Sequence, residues 1–337
     1  MMPQTKNRYK VAVIGGGTGL PVILRGLKRL DADISAIVTV ADDGGSSGII
    51  RDYINIVPPG DIRNCMIALS EADELVQEVF QYRFDTDNDF LSGHAIGNLL
   101  ITALKEMRGS ISEALDVLAQ YMRVKGQILP AASEPLVLHA LFEDNTIAIG
   151  ESSIAHHRKK IQHVMVTTMA GDEALEASPK VVEAIMEADL IVLGPGSLYT
   201  SILPNLMIRE IGEAIKQTSA EVVYICNIMT QLGETEGFTD AEHVEVLHQH
   251  LGCHFVDTVL VNTSEVPHDY IMNQPNEEYL LQVVHDFAGL RNQGCRVISN
   301  EFLSMKNGGA YHDTDRVVAE LRHLLETAKL NEKNAVN

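Results

Sequence analysis

Residues 10–14 (KVAVI), then Gly15-Gly16-Gly17-Thr18-Gly19, then an apolar-periodic stretch from about Leu20 to Leu30, decide the fold. A short run rich in valine, a glycine loop and an amphipathic stretch read as the opening of a βαβ unit. Residues 34–40 (ISAIVTV) form a second strand, ending in Asp42-Asp43-Gly44-Gly45-Ser46-Ser47-Gly48. Both runs are apolar on consecutive positions, as strands covered by helices on each side are. The rhythm resumes after about Gly171. Ser178 and Pro179 place an N-cap and an N1 proline ahead of a helix. Residues 189–193 (DLIVL) are a strand ending in Gly194-Pro195-Gly196-Ser197, and a helix follows to about Lys216. Residues 221–226 (EVVYIC) end in Asn227, a helix starts near Thr239, and residues 257–262 (DTVLVN) end in Asn262. Residues 295–299 (CRVIS) are the last strand, ahead of a helix capped by Asp313 or Thr314. The reading is an α/β chain with a mostly parallel sheet.

Between the two βα stretches the pattern changes. Residues 61–123 are mostly helical, and residues 136–150 read as a β-hairpin turning at Asp144-Asn145. The expectation is one domain over 1–330 with a helical and hairpin insertion at 61–170 and a polar tail at 331–337. At 337 residues the chain can bury a large core, and 45% hydrophobic with 21% charged residues excludes disorder and collagen. A net charge of −20 argues against a nucleic-acid partner held by broad electrostatic attraction. Cys65, Cys226, Cys253 and Cys295 show no CxxC spacing and read as free thiols of a reducing compartment. No secretory h-region precedes the first strand, and no apolar run is long enough for a membrane span. A cytoplasmic protein is expected.

In an open parallel sheet, ligands bind beyond the carboxyl ends of the strands. Every strand of this chain that ends in a marked loop ends in glycine, aspartate, asparagine or serine, so one polar rim is expected. Gly15, Gly16, Gly17 and Gly19 let main-chain N–H groups approach an anion, the following helix offers its positive end, and Thr18 adds a hydroxyl. A plain tight turn is the structural alternative. The loop lacks the Lys of a P-loop, and Leu20 stands where GxGxxG needs its third glycine. NAD stays open, since Asp42 lies near the spacing of a ribose-binding acid.

Asp42 and Asp43 suit a ligand hydroxyl, a Mg²⁺ ion carried by phosphates, with Asp43 its ligand, or a general base; an Asx-turn is the alternative. They are the candidate catalytic pair. Gly45, Ser46 and Ser47 fall in a GxSxG pattern, set aside because the aspartates hold the strand-to-helix turn and no histidine is assignable; the serines are read as donors to a phosphate or sugar. Arg63 meets a phosphate or pairs with Asp61. His94 opens another helix near Gly97 and Asn98, and Gly97 implies close approach of backbone or ligand. Gly194, Pro195, Gly196 and Ser197 form a second anion-type loop, so a diphosphate spanning both loops is the simplest occupant. The run His156-His157-Arg158-Lys159-Lys160 reads as a solvated strip, and His243, His248, His250 and His254 as a helix surface rather than a zinc site.

Residues 11–20 (VAVIGGGTGL), 39–48 (TVADDGGSSG), 58–64 (PPGDIRN), 92–100 (SGHAIGNLL), 193–206 (LGPGSLYTSILPNL) and 312–315 (HDTD) together resemble the YvcK-type gluconeogenesis factors, a branch of the CofD-like superfamily. The resemblance runs from about Lys10 to Glu326. It implies a three-layer α/β/α, Rossmann-like fold. It also implies a cytoplasmic protein linked to growth on gluconeogenic carbon sources and to cell shape, with cell-wall or signalling proteins as partners and a homo-oligomeric state. UDP-sugars such as UDP-N-acetylglucosamine are the implied ligands, with a nicotinamide dinucleotide as another occupant of the same cleft. The related transferases move a phospholactyl group from a guanosine-activated donor with Mg²⁺; no activity is attached to the gluconeogenesis-factor branch. Carried across by motif, Thr18 and Tyr270 (in VPHDYI) are nucleotide-sugar contacts, and Asp42 and Asp43 match the transferases' paired aspartates. Tyr311 stands where relatives often carry a basic residue before the closing His-Asp.

Overall fold

The computed structural model describes residues 8–85, 91–171, 175–272, 279–306 and 308–336. The polar amino-terminal residues 1–7 lie outside it. The strands are β1 (Tyr9–Gly15), β2 (Ala32–Val38), β3 (Gln127–Pro130), β4 (Leu136–Phe142), β5 (Ile147–Ile149), β6 (Ile161–Thr168), β7 (Leu190–Leu193), β8 (Glu221–Ile225), β9 (Met229–Gln231), β10 (Thr258–Asn262), β11 (Tyr279–Gln282), β12 (Arg296–Asn300), β13 (Leu303–Lys306) and β14 (Gly309–His312). The helices are α1 (Gly19–Leu27), α2 (Gly45–Ile54), α3 (Pro59–Leu69), α4 (Glu74–Gln81), α5 (Ile96–Arg108), α6 (Ile111–Tyr121), α7 (Glu151–Ile154), α8 (Pro179–Met186), α9 (Leu203–Leu206), α10 (Arg209–Gln217), α11 (Asp240–Leu251), α12 (His268–Met272), α13 (Phe287–Asn292) and α14 (Thr314–Val336).

The central sheet has the order β12-β10-β8-β7-β1-β2-β3, and each neighbouring pair is parallel. Val13, Ile14, Ile37, Val192 and Val223 are wholly buried in it, which explains their consecutive apolar runs. From β1 the chain steps outward through β2 to β3. From β7 it steps the opposite way through β8 and β10 to β12. Right-handed crossovers therefore lay the two sets of helices on opposite faces. α1 packs between α3 and α14 on one side; α8 and α10 pack together on the other. The expected α/β/α layering is present. The point where the strand order reverses lies between β1 and β7, which fixes the carboxyl-end crevice there.

Four local readings change. Residues 127–130 of the supposed insertion form β3 and extend the central sheet beside β2, so the segment 61–170 is woven into the core; β4, β5 and β6 make a separate antiparallel sheet containing the expected hairpin. The helix expected to run from the Gly194 loop to Lys216 is broken into a wide π-turn at Leu198–Ile202, then α9, then α10. Pro204 has no N–H to give, and Asn205 Nδ2 meets the Ser201 carbonyl at 2.8 Å. Ser178 starts α8 in sequence but makes no side-chain cap bond. Residues 331–336, expected as a tail, continue α14. The helix start at Thr239 and the cap at Asp313 are as read: Thr239 and Glu242 form a reciprocal capping box, and Asp313 Oδ1 accepts from Asp315 and Arg316 N–H.

Candidate functional site

The two glycine loops leave adjacent strands and pack directly on each other. Gly194 N–H donates to the Ile14 carbonyl at 2.9 Å, and Thr39 N–H to the Gly15 carbonyl at 2.9 Å. A side chain at Gly19 would place its Cβ 2.5 Å from the Pro195 carbonyl oxygen; one at Gly16 would lie 2.4 Å from Thr39 Cγ2 and 2.9 Å from Asp61 Oδ2. Only glycine permits this approach. Asn227 Nδ2 holds the second loop through the Gly196 carbonyl at 2.9 Å. Thr18 is exposed, and its hydroxyl makes no cap bond to α1. Ser197 is already spent: its hydroxyl donates to Glu234 and accepts from Thr200 N–H.

Opposite the loops stands a group of carboxylates. Asp42 Oδ1 accepts from Gly44 N–H at 2.9 Å, which is the Asx-turn alternative realised. Asp43 Oδ1 accepts from Ser152 N–H at 2.9 Å. Two further acids join them. Asp61 Oδ2 accepts from Gly17 N–H at 2.5 Å, and burial pushes its pKa up to about 6 despite that bond. Glu151 rises to about 9, through burial first and then the charges of Asp42 and Asp61, and it hydrogen-bonds Asp42. Among the described residues no three His, Cys, Asp or Glu side chains are arranged to hold a metal ion.

Glu151 gives a test of this crowding. Its folded pKa of about 9 lies above the ordinary carboxyl value. The protonated group therefore supports the fold at low pH, and that support is lost as pH rises through 9. Glu151→Gln is expected to flatten the decline above pH 5 and raise the melting temperature at pH 8 by about 2–4 °C. Thermal melts of both proteins from pH 5 to pH 9 check this; equal slopes would contradict it.

A hydrogen-bonded chain lies behind α2. Arg63 Nη1 donates to Asn98 Oδ1 at 2.9 Å, Asn98 Nδ2 donates to Ser46 Oγ at 3.0 Å, and Ser46 Oγ lies 2.9 Å from His94 Nδ1. Arg63 therefore pairs with Asn98 and Asn64 rather than with Asp61, and its Nε has no partner. Burial and the nearby Arg83 charge lower its pKa to about 10. Ser47 is buried and its hydroxyl accepts from Gly60 N–H at 3.1 Å, which anchors the start of α3. Gly45 has a φ of +47° at the start of α2. Gly97 allows the close approach inferred from sequence, because its Cβ would meet the Phe80 carbonyl at 2.6 Å.

The remaining candidates separate. Asn262 is closed on itself: Nδ2 donates to the Ser264 carbonyl and Oδ1 accepts from Ser264 N–H. Tyr270 packs with Ile228, Met229 and Val266, the first two of which follow β8 on the binding rim. Lys159 and Lys160 pair with Asp144 and Glu143, as a solvated strip does. The histidines of α11 are not a surface. His243 is fully buried and His248 is 5% exposed. His250 donates from Nδ1 to the Val246 carbonyl and accepts at Nε2 from Val164 N–H. A groove of about 540 Å³ at the amino ends of β8 and β12 is lined by Lys216, Glu221, His254, Asp257 and Arg296. Arg296 pairs there with Glu221, and helix carboxyl ends face that rim, so it lacks the field an anion needs.

A doubly wound, mostly parallel sheet with two glycine loops meeting at its switch point defines a three-layer α/β protein of the Rossmann-like type. The chain belongs to the CofD family: the model described as "2-phospho-L-lactate transferase CofD" matches residues 11–303. It is 53% identical over 321 residues to a "Putative gluconeogenesis factor" of Streptococcus pneumoniae, covering 95% of this chain and 99% of that one. It is 48% identical over 328 residues to the "Gluconeogenesis factor" of Listeria innocua, covering 97% and 99%. A solved Bacillus halodurans structure is similar with a TM-score of 0.89 and 42% identity, over 93% of this chain and 99% of that one. A second structure of that protein, titled as a member of the UPF0052 family, gives 0.88 at the same identity and coverage.

Proposed function

We propose that the chain is a cytoplasmic regulatory protein that binds a nucleotide sugar, UDP-N-acetylglucosamine or a close relative, and serves growth on gluconeogenic carbon sources and cell shape. The contact between Gly19 and Pro195 at the switch point carries this reading, because it brings two sets of loop amides within reach of one diphosphate. Thr18 donates to that diphosphate, Tyr270 stacks on the base, and Asn227, through Oδ1, or Asp42 takes a sugar hydroxyl. Wall-synthesis or signalling proteins, or another copy of the chain, read the occupied state. The names of the relatives support the gluconeogenic role. No helix among the described residues is long and apolar enough to cross a membrane.

The test is a thermal-shift panel of UDP-N-acetylglucosamine, UDP, GDP and NAD, each with and without Mg²⁺. A nucleotide sugar at a hundredfold excess over its Kd should raise the melting temperature by about 4 °C. A shift with NAD alone would overturn the reading. A second reading, a transferase acting on a nucleotide-activated donor, is favoured by the acids beside the loops. Mg²⁺ would arrive with the diphosphate and meet Asp42 or Asp43, each of which has only one oxygen given to a backbone N–H. Product formation that needs Mg²⁺ would select this reading.

A further inference from the structure

The run Gly44-Gly45-Ser46-Ser47-Gly48 has the spacing of a nucleophile elbow, and the fold supplies the histidine that spacing alone could not assign. The direction of each hydrogen bond follows from the groups. Arg63 has donors only, so Asn98 must present its carbonyl oxygen to it and its N–H₂ to Ser46. Ser46 Oγ accepts from Asn98 and lies 2.9 Å from Nδ1 of His94, within reach to donate its proton there when that nitrogen carries its lone pair. The proposed pair uses the tautomer with its proton on Nε2. His94 is 7% exposed and Asn98 wholly buried, so neither can swing away. Ser46 itself stays partly accessible.

The surroundings fit an attack by this hydroxyl. Gly44 caps α2 without a side chain, and the first intrahelical bond is Gly48 N–H to the Gly44 carbonyl at 3.0 Å. The amides of Ser46 and Ser47 precede that bond, as oxyanion donors at a helix start do.

We propose that Ser46 and His94 form a nucleophile–base pair that cleaves a neutral carboxylic ester. Ser46 Oγ bonds to the carbonyl carbon while its proton passes to His94 Nδ1. The carbonyl oxygen carries the negative charge at the first turn of α2. The ester C–O bond then breaks, the alcohol leaves with the proton from Nδ1, and an acyl-serine remains. Water attacks that carbonyl, giving one proton to His94; the acid departs and Ser46 recovers its proton. The sum is ester plus water to acid plus alcohol, with no other reactant. This activity does not depend on which nucleotide the glycine loops take.

The full-length chain is treated with a fluorophosphonate probe and, separately, with p-nitrophenyl acetate. A covalent adduct on Ser46, found by peptide mass spectrometry, and a burst of p-nitrophenol are expected. Ser46→Ala should abolish both, and His94→Gln should slow both by about 10²–10⁴-fold. Melting curves establish that each variant is folded. An unlabelled Ser46 in the folded wild-type chain, or labelling of His94→Gln at the wild-type rate, overturns the proposal.

Discussion

Gly19→Ala is expected to abolish the thermal shift produced by UDP-N-acetylglucosamine. The added Cβ would stand 2.5 Å from the carbonyl oxygen of Pro195 and 2.9 Å from its carbon, and both are backbone atoms. Neither can turn aside as a flexible side chain would. The second loop is also tied to Asn227 through the Gly196 carbonyl, so the two loops must part as units. Overpacking of this kind costs about 1–3 kcal/mol, which lowers the melting temperature of a chain this size by about 1–4 °C. The loss of ligand response is the larger effect: binding should weaken by about 100-fold or more, since every amide aimed at the diphosphate moves. Thr18→Ala is the contrast. Its hydroxyl caps nothing, so the fold is untouched and only one ligand bond is lost, about a tenfold weakening. Calorimetric titration of both variants decides it; wild-type affinity in Gly19→Ala would remove the two-loop site.

The second large effect is acid lability from buried histidines. His248, His250 and His312 each have a pKa lowered to about 4, in every case chiefly by burial. The structure agrees bond by bond. His250 Nε2 must keep its lone pair to accept from Val164 N–H, and His248 Nε2 accepts from Val256 N–H. His312 donates from Nε2 to the Cys226 carbonyl at the end of β8. Their unfolded values are near 6.5, so the stabilisation is whole above about pH 6.5 and disappears as pH falls toward 4. Three protons are taken up on unfolding in that window. Asp61 and Glu151, protonated in the fold, release up to two on unfolding and offset part of this. The remaining slope is about 1–3 kcal/mol per pH unit, or a fall of about 5 °C in melting temperature between pH 6.5 and pH 5. His250→Gln, which can still accept from Val164, should reduce that fall; an unchanged pH profile would show that the imidazole is already charged in the fold.

The strands and the rim were legible because the physics that forms them is local. Residues 10–14 and 189–193 are apolar on both faces, and each is followed by residues that only a turn tolerates. β3 was not legible: Gln127–Pro130 is four residues long, and its place at the sheet edge, where Pro130 loses no ladder bond, emerges only from its pairing with β2. The break after Leu198 had a signal in Pro204, inside a run otherwise read as one helix. Asp61 was in view but was weighed as a partner for Arg63, when its partner is the Gly17 amide, 44 residues away. Glu151 carried no signal, because its importance comes from Asp42 and Asp61 meeting it across the fold. His94 reads from sequence only as a residue at a helix start; its contact with Ser46 spans 48 residues.

The turn that leaves β5 joins the three-stranded sheet to the loop after β2 of the central sheet. Gly150 lies against the Asp43 carboxylate, Glu151 against Asp42, and Ser152 N–H on Asp43. Under the proposed function, a ligand that takes either aspartate competes with its tether to the outer three-stranded layer. Faster amide exchange in the outer strands on ligand addition is then the expected outward sign that the crevice is filled.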